Sequence, residues 1–473
     1  MNVSLYSSRP SRCFLPNYRF TAQSFAILRN AVASTAFHNS GDQFDPPKCH
    51  HNTRIAVLQK IKDWILRCDP ETWDGFIMWL TGAAGAGKSS IAQSIIELYQ
   101  REGRILGSFF FGKSDPTRNH GRPLVATLAY QMYFALPEIQ ARLIQAIDSD
   151  PLIFTRSIAF QFKMIILEPL HDLFQSEGHY LSSNDHDRLI IIDGLDECID
   201  RKTQCQILNM IANGVHQFRL PIIFLVASRP EHDIQTVFTS KAMRTIHTRL
   251  VLDAQYLPDD DIRVFLRDSF ERIKEEHPYV DKSSPSWEEW PGEEVICSLV
   301  MKSSGQFVYA ATVIKFVESI RHRPDHRLEI ILRLRPPDRE LPFAELDALY
   351  IEIFSSIDPD SVEKVLQVFG LIFIWSAQVA RKLLRSEIEL FLGLYEGESW
   401  LLFCDLGSLV TFGDVFGNEY ISILHASLLD FFLDPSRSRQ FYINMKTETH
   451  RHVINCFRHI PCLGMCPLLL ALA

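Results

Sequence analysis

The sequence lacks any apolar run of the roughly 18 residues that a membrane-spanning helix needs. The best candidate, LQVFGLIFIWSAQVA at 366–380, is interrupted by Gln367, Ser376 and Gln378. We therefore expect a buried core helix there and no membrane span. The sequence also lacks an internal repeat with a period of about 20–50 residues, which excludes solenoid and propeller arrays.

The sequence contains few cysteines and fewer basic than acidic residues. Ten cysteines are scattered without regular spacing, a pattern typical of reduced thiols in an intracellular protein rather than of a disulfide framework. Lysine and arginine together number 48 against 57 acidic residues, so the net charge is −9. This balance disfavours a dominant nucleic-acid surface, and we expect no nucleic-acid partner. The 473 residues, 47% hydrophobic and 22% charged, fit a globular chain of several domains.

Both ends of the chain have unusual compositions. The first acidic residue is Asp42, and arginine and serine are frequent before it. This composition fits a mitochondrial transit peptide or, as we expect, a poorly ordered leader over 1–36 of a cytoplasmic protein. The C-terminal tail, 446–473, contains a group of possible metal ligands: His450, His452, Cys456, His459, Cys462 and Cys466. No pair has the C-x₂-C spacing of a zinc site, so a helix surface is the better interpretation.

Short apolar runs alternate with amphipathic helices from residue 76 to residue 255. This alternation predicts an α/β fold with a parallel sheet flanked by helices, in which each strand is apolar on both faces. The predicted strands are FIMWL (76–80), ILGSFFF (105–111), LIIID (189–193), PIIFLVAS (221–228) and RLVLD (249–253). A segment at 37–75, with a helix near 52–68, precedes this domain.

Helical patterns dominate after residue 255. They cover 256–335, and a hydrophilic stretch with paired prolines, 319–342, predicts a linker between domains. Further helices follow in 340–445, together with a possible hairpin at 408–424. Helices that end in a short hairpin predict a small winged-helix-like domain.

The stretch GAAGAGKS satisfies the complete phosphate-binding pattern G-x-x-x-x-G-K-[ST]. A predicted strand precedes it and a predicted helix follows it. Backbone N–H groups of such a loop surround a phosphate at a helix N-terminus, where the dipole favours anions. Lys88 would reach the β- and γ-phosphates and Ser89 would hold Mg²⁺. The predicted nucleotide contacts are Gly82, Ala83, Ala84, Gly85, Ala86, Gly87, Lys88, Ser89 and Ser90.

A second motif, LIIIDGLDEC, places acidic residues after a buried strand. Asp193 would hold Mg²⁺, and either Asp196 or Glu197 would orient the attacking water. The strand that ends in VASRP brings Arg229 to the same edge of the sheet, where α/β proteins bind ligands. An arginine there can sense a γ-phosphate through a charge-assisted bond.

These motifs, in this order and spacing, resemble the NACHT branch of the signal-transduction ATPases with numerous domains, of the kind abundant in filamentous fungi. Three other segments, FDPPKCHHNTRIAVLQKIKDWI, GQFVYAATVIKFV and LHASLLDFFLD, are similar to the family's pre-NACHT segment, helical lid and winged-helix region. The resemblance implies that 37–75 is the pre-NACHT segment, 76–255 the nucleotide-binding domain, 256–335 the lid and 340–445 the winged-helix-like domain.

The resemblance also implies roles for individual residues. Glu197 would be the acid for hydrolysis, Arg229 the sensor of the γ-phosphate and His425 the contact to the β-phosphate of bound ADP. Asn52, Thr53 and Arg54 fall where the family covers the nucleotide base. Family members carry effector and sensor domains around this core, so we expect nucleotide-dependent self-association or partner chains that supply such domains.

The sequence therefore predicts a regulatory switch that binds ATP or ADP with Mg²⁺ and hydrolyses ATP slowly, in innate-immunity or incompatibility-type signalling. GTP is possible, but the guanine-reading string N-K-x-D is absent. A constitutive P-loop ATPase or GTPase of another class and a non-catalytic scaffold are the alternatives.

Overall fold

Five parallel strands form the sheet on which the nucleotide motifs lie. The structure is a computed structural model, and it describes residues 18–41, 48–176, 188–218, 220–280, 287–334, 343–379, 381–415 and 417–463. The strands are β1 (Ile77–Thr81), β2 (Ile105–Phe110), β3 (Arg188–Asp193), β4 (Ile222–Ser228) and β5 (His247–Val251). Their order across the sheet is β2-β3-β4-β1-β5, and every neighbouring pair is parallel.

The central strands are apolar on both faces because helices cover the sheet on both sides. All residues of β1 and β4 are buried, and their side chains enter two apolar cores, one on each face. The strand β5 differs, since Leu250 is its only buried residue. It pairs with β1 alone and is an edge strand. The expectation that every strand is apolar on both faces is therefore wrong for β5.

Ten helices accompany the sheet in the described residues. They are α1 (Tyr18–Asn30), α2 (Ile55–Ile65), α3 (Lys88–Tyr99), α4 (Leu124–Ala135), α5 (Gln140–Ser149), α6 (Ile158–Phe162), α7 (Glu168–Ser176), α8 (Arg201–Phe218), α9 (His232–Phe238) and α10 (Lys241–Arg244). A π-helical turn at Lys163–Leu167 joins α6 to α7. The predicted parallel sheet flanked by helices is confirmed.

The segment expected to be a poorly ordered leader contributes to the core. Residues 1–17 lie outside the described residues, but α1 packs on α4 and α5. Leu28 of α1 and Ala33 and Ala36 just after it are buried in the core on one face of the sheet. The expectation for 1–36 is therefore wrong from Tyr18 onward, because the composition of the whole segment concealed a short amphipathic helix.

The C-terminal half is helical and ends in a helix after a hairpin. Its helices are α11 (Pro258–Glu276), α12 (Glu293–Ser303), α13 (Phe307–Val317), α14 (Pro324–Arg333), α15 (Ala344–Ser355), α16 (Pro359–Gln378), α17 (Arg385–Leu392), α18 (Glu398–Phe403), α19 (Ala426–Phe432), α20 (Pro435–Ser438) and α21 (Met445–Leu463). The hairpin consists of β6 (Val410–Val415) and β7 (Asn418–Ile423), which are antiparallel. A helical region thus follows the sheet, as predicted.

The stretch predicted to be a linker contains a helix. Pro324 is the first residue of α14, a position where its missing N–H costs nothing and its φ suits a helix. Leu328 and Ile331 of α14 are buried. The linker prediction is wrong at 324–333, and the paired prolines 336 and 337 lie outside the described residues.

One apolar core joins the predicted lid to the predicted winged-helix-like region. It runs from Ile262 of α11 to Phe432 of α19 and Ile443. Residues 366–378 of the predicted core helix at 366–380 lie in α16, which ends at Gln378, and from Val368 to Ser376 all residues are buried. In the described ranges, no helix is both long enough and apolar enough to cross a membrane.

Candidate nucleotide-binding site

The glycine-rich loop connects the central strand to a helix that begins at the motif lysine. β1 ends at Thr81 and α3 begins at Lys88. Gly85 and Gly87 have φ angles of +72° and +89°, which side-chain-bearing residues rarely adopt. The Lys88 ammonium donates hydrogen bonds of 2.9 Å to the carbonyls of Gly82 and Ala83. The loop is therefore curled around its own lysine, and no carboxylate of the described residues forms an ion pair with that ammonium.

The predicted lid packs directly on this loop. Val308, in the first turn of α13, donates its backbone N–H to the carbonyl of Gly85 at 3.4 Å. A Cβ added at Gly85 would come within 2.2 Å of the Val308 side chain. Glycine is thus needed at this position both for its backbone angle and for the close approach of the lid.

Arg54 links the segment before the sheet to both the loop and the lid. Its guanidinium is buried, donates to the carbonyl of Ala86 at 2.9 Å and lies over the ring of Phe307 at 4.8 Å. Its Nε is 3.8 Å from a carboxylate oxygen of Asp261 in α11. The resemblance predicted a contact to the nucleotide base at 52–54, and the structure places Arg54 beside the phosphate loop.

Asp193, the last residue of β3, offers an unsatisfied oxygen. The residue is 3% exposed, and its Oδ1 has no hydrogen-bond partner within the part of the chain that the structure describes. Burial raises the pKa of Asp193 to about 6, although the Ser89 hydroxyl and the Lys88 ammonium act to lower it. A buried, unpaired carboxylate oxygen next to a hydroxyl fits Mg²⁺, which proteins hold through one or two carboxylates together with phosphates and water. The described residues contain no cluster of three or more His, Cys, Asp or Glu that could hold a metal by itself.

The two acids that follow Asp193 have different surroundings. Asp196 accepts a 2.9 Å hydrogen bond from the backbone of Arg229, and its other oxygen is 3.2 Å from the Arg229 Nε. Glu197 accepts one bond, 3.1 Å long, from the backbone N–H of Lys113. Burial raises the pKa of Glu197 to about 7, and repulsion by Asp196 adds to the rise. The geometry therefore favours Glu197 over Asp196 as the proton acceptor, because Asp196 is held by an arginine.

Arg229 connects the edge of the sheet to the C-terminal region. Its NH1 donates to Oδ2 of Asp430 in α19 at 2.5 Å. The other oxygen of Asp430 accepts from the ammonium of Lys113 at 3.1 Å. Arg229 is also close enough to Lys88 to lower the pKa of that lysine, although burial is the larger cause. The sequence analysis found Arg229 but missed Lys113 and Asp430.

His425 precedes the first residue of α19. Burial lowers its pKa to about 4, and the nearby Lys315 of α13 contributes. The imidazole is therefore neutral at physiological pH. Among the described residues the structure gives this ring no hydrogen-bond partner, so its predicted contact to the β-phosphate stays a prediction.

The C-terminal histidines and cysteines are only partly described. His450 and His452 lie on α21, and the side chains from Cys456 onward lie outside the described residues. His452 is fully buried, with its Nε2 3.5 Å from Glu448. The interpretation of this group as a helix surface is therefore wrong for His452. The six cysteines that the structure does describe, such as Cys198 and Cys205, are unpaired.

Comparisons with known proteins agree with this fold. The family model described as "Nephrocystin 3, N-terminal" matches residues 55–229, from α2 to the arginine after β4. It covers less than half of the chain, so the similarity concerns the nucleotide-binding part. Together with the sheet and the loop, this match supports a P-loop NTPase-like fold. None of the curated proteins matches the chain.

Several solved structures are distantly similar. A structure of Drosophila ORC bound to DNA is 11% identical, with a TM-score of 0.37, over 83% of this chain and 97% of that one. The ORC1 protein of Aeropyrum pernix in complex with DNA is 15% identical, with a TM-score of 0.33, over 79% and 90%. Cdc6p from Pyrobaculum aerophilum is 12% identical, with a TM-score of 0.31, over 88% and 97%. Similarities this weak carry no argument about function.

The expectation that no nucleic acid is a partner does not stand. Two of these structures are described as complexes with DNA, whereas the exclusion rested on net charge alone. Net charge is a sum over the chain and does not exclude a local basic surface.

Proposed function

We propose that the protein is a nucleotide-dependent switch of the NACHT type, which binds ATP or ADP with Mg²⁺ and hydrolyses ATP slowly. The observation that supports this proposal most strongly is the ion pair between Arg229 and Asp430. It ties the residue expected to sense the γ-phosphate to a helix of the same chain that lies 201 positions later. A steady ATPase has no need of such a connection, whereas a switch needs one.

The residues at the edge of the sheet would have separate roles in binding phosphate, holding Mg²⁺ and accepting a proton. Lys88 would leave the carbonyls of Gly82 and Ala83 and donate to phosphate oxygens instead. Ser89 and Asp193 would hold Mg²⁺, which supplies positive charge against the phosphates. Glu197, with its raised pKa, would accept a proton from the attacking water.

The C-terminal region would read the state of the nucleotide. A ligand shifts a two-state equilibrium only through its different affinities for the two states, and about 5.5 kcal/mol takes the ratio from 1:99 to 99:1. In this proposal ADP favours the closed arrangement seen here, in which Val308 covers the loop and Asp430 holds Arg229. ATP favours an open arrangement, and hydrolysis restores the closed one. His425, neutral at physiological pH, would donate to the β-phosphate of ADP in the closed arrangement.

The biological setting proposed here follows the resemblance. The protein would act in the cytoplasm in fungal innate-immunity or incompatibility-type signalling, through self-association or with partner chains that supply effector or sensor domains. ATP is favoured over GTP because the guanine-reading string is missing.

The test is to identify the nucleotide that accompanies the protein. The full chain is purified without added nucleotide and denatured, and the released compounds are separated by chromatography. Near-stoichiometric ADP in the wild type, absent from Lys88→Ala, supports a switch held closed by ADP. An empty site that turns over added ATP quickly would contradict the switch and favour a constitutive ATPase.

A further inference from the structure

Lys113 lies at the same edge of the sheet as the predicted catalytic residues, and the proposed mechanism does not use it. We propose that Lys113 and Arg229 form one anion site, which the Asp430 carboxylate fills in the closed arrangement and the terminal phosphate of a nucleoside triphosphate fills in the open one. Lys113 would then be a second phosphate-binding cation and Asp430 its internal competitor. This inference rests on the proposed function and adds the mode of regulation at that site.

The two cations lie on either side of the acidic loop. The order of strands is β2-β3-β4 on this side of the sheet. Lys113 comes shortly after β2, Arg229 directly after β4, and the loop with Asp196 and Glu197 follows β3 between them. The carboxyl ends of parallel strands meet at one edge, which is where ligands of α/β proteins bind.

Each cation is positioned by one of the two acids. The backbone N–H of Lys113 donates to Glu197 at 3.1 Å, and the Arg229 Nε lies 3.2 Å from Asp196. The residues proposed to bind phosphate are therefore attached to the residues proposed to orient the water. A terminal phosphate between the cations would lie beside the group that must activate its attacker.

A single carboxylate bridges the two cations. Oδ1 of Asp430 is 3.1 Å from the Lys113 ammonium and Oδ2 is 2.5 Å from the Arg229 guanidinium. Two cations that converge on the two oxygens of one anion present the charge arrangement that also suits a phosphate. Burial acts to raise the pKa of Asp430, but Arg229 and Lys113 lower it overall, so the carboxylate that lies between the two cations is ionised.

The same two regions are also joined by a contact that does not involve this anion site. Lys382, which precedes α17, is 2.9 Å from the buried carboxylate of Asp115 in the loop after β2. Loss of this pair would loosen the contact between the regions without freeing Lys113 or Arg229. Lys382→Met is therefore a matched control for Asp430→Asn.

The experiment measures the affinities of the full chain for Mg²⁺-ADP and for the non-hydrolysable analogue Mg²⁺-AMPPNP by isothermal titration calorimetry. Asp430→Asn should raise the ratio of triphosphate to diphosphate affinity about tenfold, because one charge-assisted competitor is removed. Adding Lys113→Met to Asp430→Asn should reverse most of that gain while it changes ADP affinity less than about twofold. Lys382→Met should leave the ratio unchanged. Asp430→Ser serves in the same design if the asparagine variant does not fold.

Two outcomes would overturn the inference. If Lys113→Met has no effect in the Asp430→Asn background, Lys113 does not bind the terminal phosphate. If Lys382→Met raises the ratio as much as Asp430→Asn, the effect comes from loosening alone. Failure of the proposed function would give a different result. The wild type and Lys88→Ala would then have the same affinity for nucleotide, which means that the phosphate loop does not bind it.

Discussion

Arg229 and Asp430 join the end of β4 to α19 through a 2.5 Å contact between NH1 and Oδ2. Both side chains are mostly shielded, at 25% and 21% exposed. Arg229 uses its Nε for Asp196 at the same time. A planar guanidinium can serve two carboxylates in this way, whereas an ammonium is a single point of charge.

Replacement of Arg229 by lysine should therefore weaken the contact between the two halves although the charge is kept. We expect a loss of about 1–2 kcal/mol in the free energy of unfolding, because one of two partly buried acids loses its donor. Urea denaturation of the nucleotide-free wild type and of Arg229→Lys measures this loss. The control is Arg333→Lys, in a surface pair with Glu329, which should cost less than about 0.5 kcal/mol. Equal effects at the two positions would contradict the bridging role.

Replacement of Asp193 by asparagine should stabilise the protein without nucleotide. The pKa of Asp193 is about 6 in the folded protein against an ordinary value of 3.8, so the folded state disfavours its ionised form. The resulting penalty is complete above pH 6, where it amounts to about 1–3 kcal/mol, and disappears as the pH falls towards 4.

Urea denaturation of wild type and Asp193→Asn at pH 7.5 and at pH 4.5 measures the free energy of unfolding of both proteins and checks this prediction. The variant should be the more stable at pH 7.5, and the difference should shrink at pH 4.5. The same variant should lose Mg²⁺-dependent nucleotide binding. A destabilised variant at pH 7.5 would show that Asp193 has a structural partner instead.

Hydrolysis should depend on the ionisation of Glu197. With a pKa of about 7, the carboxyl is mostly protonated at pH 6 and mostly ionised at pH 8, so the single-turnover rate should rise over this interval. His425, whose pKa is about 4, stays neutral throughout and cannot cause the change. Glu197→Gln should lower the rate about 10²–10⁴-fold and remove the rise centred near pH 7 while nucleotide still binds. Asp193, with a pKa of about 6, can then cause only a smaller rise near pH 6. If Glu197→Gln keeps the wild-type profile, the role passes to Asp196 or the mechanism fails.

The contact between the lid and the loop can be tested with two glycines. Gly85→Ala and Gly87→Ala both place a side chain at a positive φ, at a similar cost of about 1–2 kcal/mol. Only the Cβ at position 85 meets Val308, whereas nothing lies within 4 Å of a Cβ at position 87. Thermal unfolding without nucleotide should therefore show the larger loss for Gly85→Ala. Val308→Ala in that background should restore part of it; equal losses for the two single variants would contradict direct lid packing.

The sheet and the phosphate loop were predictable because their signals are local. The strands β1 to β4 are short, mainly apolar runs, and the loop pattern lies within eight consecutive residues. The prediction for β5 is wrong because a sequence does not show which strand has a neighbour on one side only. The linker prediction fails at α14 because its charged residues and nearby prolines mask the helical spacing of Leu328 and Ile331.

Asp430 and Lys113 could not be recognised from the sequence. Asp430 is bound to cations 201 and 317 positions away, and an ion pair between distant positions leaves no periodic or spacing signal. Lys113 carries a weak hint, since it is a cation that follows an apolar run by two residues, and Arg229 likewise follows the strand β4. The resemblance drew attention to His425, and Asp430 lies only five residues beyond it.

The position of β1 in the sheet has a consequence for synthesis of the chain. Its two partners in the sheet are β4 and β5, which begin at Ile222 and His247. At translation rates of about 5–20 residues per second, β1 waits on the order of 10–30 s after leaving the ribosome before its first partner strand exists. Four consecutive apolar residues, Ile77 to Leu80, are unpaired for that time, so the nascent chain depends on whatever shields this strand until β4 emerges.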